Sequence, residues 1–374
     1  MIAIKGREYP RAGHKIRMPA SGYVESPSFM RTYPRVINKE LIEPNYREWI
    51  ESYWRKEFFE ARNLEIFYIR GAYLVNECLI LDDDLRFIEN ASDDYPDHEI
   101  ARAIAAVAKE TEEGVLQNYD KVTIVAKKRS AHNYGHFLME CLPMAVIAKQ
   151  ALSAFDGELQ YMIQRVPSPM QDAMFRAFRL LDVDLDDVLV QGFREPLHFE
   201  HLLVVRGISE HGEYLSPLAV QPAETIARRQ VASGTTMLGR SSEKLFVRRV
   251  PALGRGRELL NENEVAERLS AAGFLVIEPG SMTLEQQIMT FRGADQIVGV
   301  CGAAMANIAF CKPGATVTLL FPAMFPDVFF WFIATHKRLN YTEIRGRQIS
   351  YDSPNSWERG FCLDEKDIQF LETL

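Results

Sequence analysis

Three side chains that can accept or donate a proton recur every four residues: His132, His136 and Glu140. The apolar residues that follow them recur at helical spacing, which predicts a helix over residues 132–150. Residues four apart on a helix are offset by ~40° and ~6 Å, so the three side chains are expected to share one face. An apolar run at 121–126 predicts a buried strand just before this helix. Open α/β sheets bind ligands where such strands end, so this segment is the first candidate for acid–base chemistry.

The whole chain has the composition of an ordinary globular protein. It has 374 residues, 47% hydrophobic and 25% charged, with a formal net charge of −8 and a pI near 5.6. The length predicts two domains, and the acidic balance disfavours a nucleic-acid partner. One segment, the basic island at residues 240–257, departs from the negative net charge of the chain, because it holds six basic residues and one acid. That charge suits a small anion better than a polymer.

Cysteine usage and hydropathy indicate in which cellular compartment the protein is expected. The five cysteines form no CxxC motif, which favours a reduced, cytoplasmic setting. No secretory signal peptide is recognised, and no apolar run reaches the ~18 residues that a membrane span needs. A cytoplasmic location is therefore expected. Contact with the inner face of the membrane and a homodimer both stay open.

Predicted strands and helices alternate along most of the chain, which indicates parallel sheets with helices on both faces. The expected domains are an N-terminal arm (1–60), an N-terminal α/β domain (61–232) and a C-terminal α/β domain (233–345). A C-terminal tail (346–374) is left as a candidate to pack back on the N-terminal domain. Two doubly wound, Rossmann-like halves facing a cleft are the expected architecture. The predicted helices lie at 46–58, 98–114, 132–150, 169–181, 223–231, 261–272, 283–292, 303–310 and 328–336. The predicted strands lie at 65–70, 72–81, 85–90, 121–126, 160–164, 187–191, 201–206, 245–248, 274–278, 296–300, 315–321 and 341–344.

Four motifs follow one another over roughly residues 120–325. The first is Asn133-x-x-His136-x-x-x-Glu140-x-Leu142-Pro143, and the second is Phe246-Val247-Arg248-Arg249 with Arg257-x-Leu259-x-Asn261-Glu262. The third is Gln286-Gln287-Ile288 with Ala294-Asp295-x-Ile297-Val298-Gly299, and the fourth is Gly302-Ala303-Ala304-x-x-Asn307-x-x-Phe310-x-x-Pro313-Gly314. In this order they resemble the family 61 glycosyltransferases, which include bacterial capsular-polysaccharide transferases.

The resemblance implies a GT-B-like fold and inverting transfer of a sugar from a nucleotide-sugar, without an essential metal or a resident cofactor. The implied partners are a nucleotide-sugar donor on the C-terminal half and a glycan or lipid-linked glycan acceptor on the N-terminal half. Two positions depart from the family pattern: Cys301 stands where the family has His, and Leu319 stands near a usual Glu. Both are expected on the donor side, so they bear on donor choice and on activity.

Sugar transfer requires a base that removes the proton of the acceptor hydroxyl, and an imidazole titrates near neutral pH. His136 is the predicted base, and Glu140 is predicted to fix its tautomer. The reverse assignment, with Glu140 as base, stays open. Asn133 and His132 are predicted to contact the acceptor. The competing interpretations are a hydrogen-bonded core histidine and a zinc site, because His-x-x-x-His on a helix can bind zinc.

The leaving nucleoside diphosphate requires positive charge, which arginine supplies in a bidentate geometry. Arg249 is the first candidate, followed by Arg248 and Arg257. Alternation along a strand points Arg248 and Arg249 to opposite faces, so one of the two is expected at the donor.

A strand-turn-helix at 296–310 is the second donor element, because small residues allow phosphate to approach a helix N-terminus. Cys301, Gly302, Ala303 and Asn307 are its predicted donor-binding residues. Close helix–sheet packing explains the small residues equally well. A helix start can lower the pKa of a thiol such as that of Cys301, but a nucleophilic role is not expected, because no His is nearby in sequence.

Two further classes of function fit the sequence. The departures at Cys301 and Leu319 would suit a non-catalytic nucleotide- or glycan-binding assembly protein. A pyruvyl transferase on a similar two-domain scaffold also stays open.

Two acidic strings, 82–84 and 182–184, resemble metal-binding DxD motifs, but their positions favour a hairpin turn and a helix-terminal loop.

Overall fold

The computed structural model describes residues 14–234, 242–249, 256–349, 355 and 358–374. These residues form two compact units. Unit 1 comprises residues 14–25, 63–171 and 182–208, and unit 2 comprises the described residues of 26–62, 172–181 and 209–374. The first 13 residues of the predicted arm, and Arg240 and Arg255 of the basic island, lie outside the described residues.

The helices and strands of the described residues are as follows. The helices are α1 (Pro44–Arg55), α2 (Asp97–Glu113), α3 (Tyr134–His136), α4 (Leu142–Ala151), α5 (Met170–Leu180), α6 (Gln221–Ala232), α7 (Glu262–Ala271), α8 (Leu284–Gly293), α9 (Phe329–Lys337) and α10 (Glu365–Glu372). The strands are β1 (Lys15–Ile16), β2 (Gly22–Ser26), β3 (Phe29–Met30), β4 (Arg35–Ile37), β5 (Phe58–Phe59), β6 (Arg62–Val75), β7 (Leu79–Asp82), β8 (Phe87–Ile88), β9 (Gln117–Tyr119), β10 (Val122–Val125), β11 (Leu159–Gln164), β12 (Val188–Gln191), β13 (Leu197–Arg206), β14 (Ser209–Glu210), β15 (Tyr214–Leu215), β16 (Lys244–Val247), β17 (Leu275–Ile277), β18 (Gln296–Val300), β19 (Thr316–Pro322), β20 (Asn340–Gln348) and β21 (Phe361–Cys362). Short 3₁₀-helices occur at Lys39–Leu41, Leu185–Asp187, Pro217–Val220, Pro279–Ser281 and Ala303–Phe310, and a π-helical turn occurs at Phe137–Cys141.

Unit 1 is built on one mixed sheet with the strand order β1-β8-β7-β6-β13-β10-β11-β12. The segment β13-β10-β11-β12 is parallel, whereas β6 pairs antiparallel with β13 and with β7. β10 has its sequence successor β11 on one side and β13 on the other, so the strand order changes direction at β10. In open α/β sheets, ligands bind outside the carboxyl end of such a strand. The segment that follows β10 contains His132, His136 and Glu140.

Unit 2 is built on a sheet with the order β17-β16-β18-β19-β20-β21, in which the first five strands are parallel. Counted along the chain, these five strands have the doubly wound order 2-1-3-4-5. The direction of winding changes between β16 and β18. Arg248 and Arg249 follow the carboxyl end of β16, and Cys301 and Gly302 follow that of β18. This topology places the predicted donor residues at the switch point of their sheet.

Burial on both faces explains why the strands of unit 2 read as continuous apolar runs. One face of the sheet packs against α7 and α10 in a single apolar cluster, to which Phe246, Val298 and Leu320 contribute from the strands. Ile368 and Leu371 of α10 belong to the same cluster. The described part of the predicted tail therefore lies in the core of unit 2.

The α/β class and most predicted elements are confirmed. The predicted strand 296–300 matches β18, and the predicted helix 98–114 matches α2 within one residue at each end. Gly114 ends α2 in the left-handed conformation, with φ 70°. That conformation favours glycine, which explains why the helix stops there.

Several predicted boundaries were wrong, and two of these errors have a clear local cause. The predicted strands 65–70 and 72–81 are one long strand, β6, followed by a turn and β7. Gly71, at φ 65°, bends β6 without ending it, and Asn76, at φ 54°, makes the turn inside the second apolar run. The helix predicted at 132–150 begins only at Tyr134. The predicted domain boundaries and the GT-B arrangement stay predictions.

Candidate active site

The segment that follows β10 is shaped by a helix cap. Asn133 is extended, with φ −93° and ψ 126°, and its Oδ1 accepts a hydrogen bond from the backbone N–H of Gly135 at 2.9 Å. Such an N-cap satisfies a donor that the first helical turn leaves unpaired. The backbone N–H of Asn133 donates to the carbonyl of Ser130, at 2.8 Å, and Ser130 has a positive φ of 73°. The loop is thereby closed against the start of the helix.

A π-helical turn follows immediately, over Phe137–Cys141. Such turns are uncommon and occur mostly as single turns inside α-helices, frequently at functional sites. Every residue of this turn is buried, Glu140 among them. The side chains of His136 and Glu140 are therefore presented by an irregular turn that apolar neighbours hold in place.

His136 and Glu140 form a hydrogen-bonded pair. Nδ1 of His136 lies 2.5 Å from Oε2 of Glu140. Glu140 is almost fully buried, with 5% of its side chain exposed, while 26% of the His136 side chain is exposed. A proton on Nδ1 that is donated to the carboxylate leaves the lone pair of the neutral ring on Nε2, which can accept a proton. This is the arrangement of a base that a carboxylate orients.

Lys128 completes the cluster, and the sequence argument missed it. Its Nζ lies 3.2 Å from Oε1 of Glu140, so the buried carboxylate has a lysine on one oxygen and a histidine on the other. Both oxygens of Glu140 are thus held within the cluster, and its side chain is much less exposed than that of His136. This favours His136 over Glu140 as the group that exchanges a proton with a ligand. The only sequence signal was the basic run 127–129 just before the motif.

The structure separates His132 from the helical face. Since α3 begins at Tyr134 and Asn133 is its cap, His132 precedes the helix. The predicted shared face of three residues is therefore wrong for His132 and holds for the pair His136 and Glu140. His132 is exposed and lines a pocket of unit 1.

In unit 2, Arg249, Arg257, Cys301 and Gly302 lie together at the carboxyl ends of β16 and β18. Nη1 of Arg249 donates to the carbonyl oxygens of Arg257, at 3.0 Å, and of Cys301, at 3.2 Å. A side chain added at Gly302 would meet Cδ of Arg249 at 3.5 Å, which is ordinary contact. The guanidinium of Arg257 lies over the ring of Phe325, 4.3 Å from its centroid. Two cations thus lie where this sheet is expected to bind a ligand.

Arg248 and Asn307 have structural partners. Nε and Nη2 of Arg248 both lie 3.1 Å from Oε2 of Glu262, which ties the arginine to the first turn of α7. The side chains of Arg248 and Arg249 therefore point to different neighbours, as strand alternation predicts, although the backbone N–H of Arg249 also donates to Oε1 of Glu262, at 2.9 Å. Nδ2 of Asn307 donates to Oε1 of Gln287, at 2.8 Å, and to the carbonyl of Ala304, at 3.0 Å. Asn307 is fully buried and links the 3₁₀-helix to α8.

Cys301 differs from its prediction. It is fully buried, and this burial raises the pKa of its thiol to about 11, although Arg249 and Arg257 act in the opposite direction. The prediction of a lowered thiol pKa was therefore wrong. The loss of hydration outweighs the two nearby cations. Ala303, two residues on, is half-buried at the start of the 3₁₀-helix.

Within the described ranges, no group of three or more His, Cys, Asp and Glu residues is placed to hold a metal ion. The acidic string at 82–84 forms a turn, in which Oδ1 of Asp82 accepts the backbone N–H groups of Asp84, at 3.0 Å, and of Arg86, at 2.8 Å. In the string at 182–184, Asp184 caps a 3₁₀-helix through the N–H of Asp186, at 3.1 Å. Both strings thus have local structural roles, as their positions indicated.

A buried ion pair in β20 was also missed by the sequence argument. Glu343 and Arg345 are fully buried and paired, and the hydroxyl of Tyr341 donates to Glu343 at 3.0 Å. Burial raises the pKa of the Glu343 carboxyl, against the effect of Arg345. Glu343 is the register partner of Leu319 on β19. A carboxyl group therefore lies on the strand beside Leu319.

Comparison with known proteins addresses the family. Residues 134–318 match the family model described as Glycosyltransferase 61. The match supports a family 61 glycosyltransferase, and its range includes His136, Glu140, Arg249 and Cys301. No curated protein matches the chain. Among the described residues, no helix is long and apolar enough to cross a membrane.

Proposed function

We propose that this protein is an inverting glycosyltransferase that moves a sugar from a nucleotide-sugar to a glycan acceptor. The observation that carries the proposal is the pair of His136 and Glu140, 2.5 Å apart, at the carboxyl end of β10 and inside the family 61 match. A carboxylate-oriented imidazole beside a ligand-binding strand end is suited to general-base chemistry.

In the proposed reaction, the acceptor oxygen attacks the anomeric carbon from the face opposite the leaving diphosphate. The new bond joins the acceptor oxygen to that carbon, and the bond from that carbon to the phosphate oxygen breaks. The acceptor proton passes to Nε2 of His136, and the electron pair of the broken bond leaves on the phosphate. Glu140 holds Nδ1 and stabilises the imidazolium that forms, while Lys128 holds the other oxygen of Glu140. One displacement inverts the configuration of the transferred sugar.

The donor is proposed to bind in unit 2 through its diphosphate. Arg249 follows β16, and carbonyl oxygens of Arg257 and Cys301 hold its guanidinium in place. A guanidinium fixed before the ligand arrives loses little conformational entropy on binding. Gly302, without a side chain, lets a phosphate approach the backbone beside Arg249. Arg257 adds a second positive charge, which offsets the charge that develops on the leaving diphosphate.

The biological setting we propose is synthesis of a capsular polysaccharide, an exopolysaccharide or a lipopolysaccharide in the cytoplasm, at the inner face of the membrane. Only the family resemblance supports this part.

An assay with purified full-length protein tests the activity itself. Each member of a panel of nucleotide-sugars is incubated with a panel of oligosaccharide acceptors, and the products are followed by mass spectrometry.

A transfer product whose new linkage has the opposite anomeric configuration, read from its NMR coupling constants, is the expected result. Retention of configuration would contradict the single displacement. Stabilisation by nucleotides without transfer or hydrolysis of any donor would favour a binding protein instead. Transfer of a pyruvyl group would favour the other alternative.

A further inference from the structure

Unit 1 contains a pocket of about 330 Å³ in which His132 is the one lining residue that the sequence predicted to contact the acceptor. Its wall comes from the turn after β6, from α2, and from the loops after β10 and β12. The volume falls at the low end of the range of about 300–1,000 Å³ that is typical of small-molecule sites. We propose that this pocket binds an acidic sugar of the acceptor glycan, one residue away from the sugar that receives the transfer. The acceptor role rests on the proposed function.

A buried lysine behind the pocket anchors one of its lining residues. Lys127 is fully buried, and its Nζ donates to the backbone carbonyl of Asn76, a pocket residue, at 2.5 Å. The same Nζ donates to the side-chain oxygen of Gln191, and Nε2 of Gln191 donates to the carbonyl of Leu74 at 2.8 Å. This buried network joins the turn after β6 to the ends of β10 and β12. The pocket is therefore built before any ligand binds.

A second set of contacts fixes the loop after β10. The backbone N–H of Arg129 donates to Asp93, and Nη1 of Arg129 donates to the carbonyl of Asp94 at 2.6 Å. Asp93 is itself buried and paired with Arg206 at 2.8 Å. Arg129 also lies 3.6 Å from Glu99 of α2. These contacts hold Arg129 as part of the wall, and its charge is balanced within the wall.

The charge that remains at the rim is positive. Arg102 and Arg194 line the pocket, and within the described ranges neither has an acidic partner. Of the two carboxylates in the lining, Glu99 is paired with Arg129, so Glu77 is counted against Arg102 and Arg194, and these three residues carry one net positive charge. A guanidinium binds a carboxylate through two parallel hydrogen bonds, so an acidic ligand fits this rim better than a neutral one.

The rim also presents an aromatic ring. Phe193 is 60% exposed, and its ring lies 5.4 Å from the guanidinium carbon of Arg194. A pyranose has an apolar face of C–H groups that can cover such a ring, while a carboxylate on the sugar reaches the arginine beside it. Asn76, Ser130 and Glu77 add groups that accept or donate hydrogen bonds to hydroxyls. The ring of Phe193 beside the guanidinium of Arg194 is therefore suited to bind a sugar that carries a carboxylate, such as a uronic or sialic acid.

Chain continuity connects the pocket to the proposed base. His132 lines the pocket, and His136 follows four residues later. Four residues of extended chain span at most ~14 Å. An oligosaccharide seated in the pocket can therefore extend along this segment toward His136.

Binding of simple glycosides to the full chain, without donor, tests the proposal. The probes are the methyl glycosides of glucuronic, galacturonic and sialic acid, with methyl glucoside and methyl galactoside as neutral counterparts, measured by titration calorimetry or saturation-transfer NMR. At least one acidic glycoside is expected to bind about tenfold more tightly than its neutral counterpart. R102Q and R194Q should each remove most of that preference, and F193A should weaken binding of both forms.

Two control variants lie in the same unit but outside the pocket. K109Q removes an exposed charge from α2, the helix that carries Arg102, and F155A removes another exposed ring, 42% accessible. Both should bind like the unchanged protein. Equal affinity for acidic and neutral glycosides, no binding by any acidic glycoside, or equal losses in K109Q and R102Q would overturn the proposal. Because H136A should bind the glycosides normally, a failure of the pocket is distinguishable from a failure of the proposed catalysis.

Discussion

At the scale of single residues, the pair of His136 and Glu140 could be predicted because it is local. A spacing of four residues places two side chains together on any helical turn, and the π-helical turn preserves the contact. Lys128 could not be predicted in the same way. Its contact with Glu140 depends on the path of the loop between β10 and α3, where Ser130 adopts a positive φ. No periodicity encodes such a path.

Arg248 and Arg249 give a matched test of the donor side, because they are neighbours of the same type whose side chains have different partners. R249Q is expected to weaken binding of a nucleoside diphosphate about 10- to 100-fold, since a charge-assisted contact contributes about 1.5–3 kcal/mol. R248Q, which loses the pairing with Glu262 on α7, should change that affinity less than about threefold. Calorimetric titration with UDP and GDP measures both. Equal losses in the two variants, or none in R249Q, would refute the assignment.

At the scale of elements, propensity and periodicity located most helices and strands, but not their irregular ends. The start of α3 was misplaced because apolar spacing takes no account of a cap, and Asn133 holds an extended conformation just before the helix. The π-helical turn also carries no sequence signal, because its apolar residues fit an α-helix equally well. β6 was divided because Gly71 resembles a chain break, although at φ 65° it only bends the strand.

Asn133 has a cap contact and a proposed acceptor contact, and two variants separate them. N133A removes the cap and should lower the free energy of unfolding by about 1 kcal/mol. N133S keeps a capping oxygen, so its stability should stay close to that of the unchanged protein while its KM for the acceptor rises. Urea unfolding and initial rates measure the two effects. An unchanged KM for the acceptor in N133S would show that Asn133 caps the helix but does not contact the acceptor.

At the scale of the whole molecule, the alternation of elements predicted two α/β halves, but not all of their members. Residues 26–62 belong to unit 2 although they lie far from the rest of it in sequence, and α10 completes its core. β4 pairs with β20, about 300 residues later, and α10 contacts α7 through Arg268 and Glu372, which are 104 residues apart. Short segments without strong periodicity give no local indication of such partners.

Lys127 should make the stability of the molecule depend on pH. Burial lowers its pKa from 10.5 to about 7, so between these values the folded state binds less of this proton than the unfolded state. The contribution of Lys127 to the free energy of unfolding therefore rises as pH increases from about 7 toward 10, by up to ~1.4 kcal/mol per pH unit. Between pH 6 and 9, the Tm of the unchanged protein should rise relative to that of K127M.

K127M also leaves buried carbonyl groups unpaired, which lowers its Tm at every pH. The measured quantity is therefore how the Tm difference between the unchanged protein and K127M varies with pH. K149M, which changes an exposed lysine of α4, should show no such dependence. A constant difference between the unchanged protein and K127M across this range would show that Lys127 stays protonated when folded.

The central claim is that His136 removes the acceptor proton. With a nucleotide-sugar and acceptor that give a product, the initial rate of transfer by H136A is compared with that of the unchanged protein at saturating substrates. The variant should lose about 10²- to 10⁴-fold in kcat, because a general base contributes that much, while its affinity for the nucleotide stays the same. An unchanged kcat in a folded H136A protein would contradict the account.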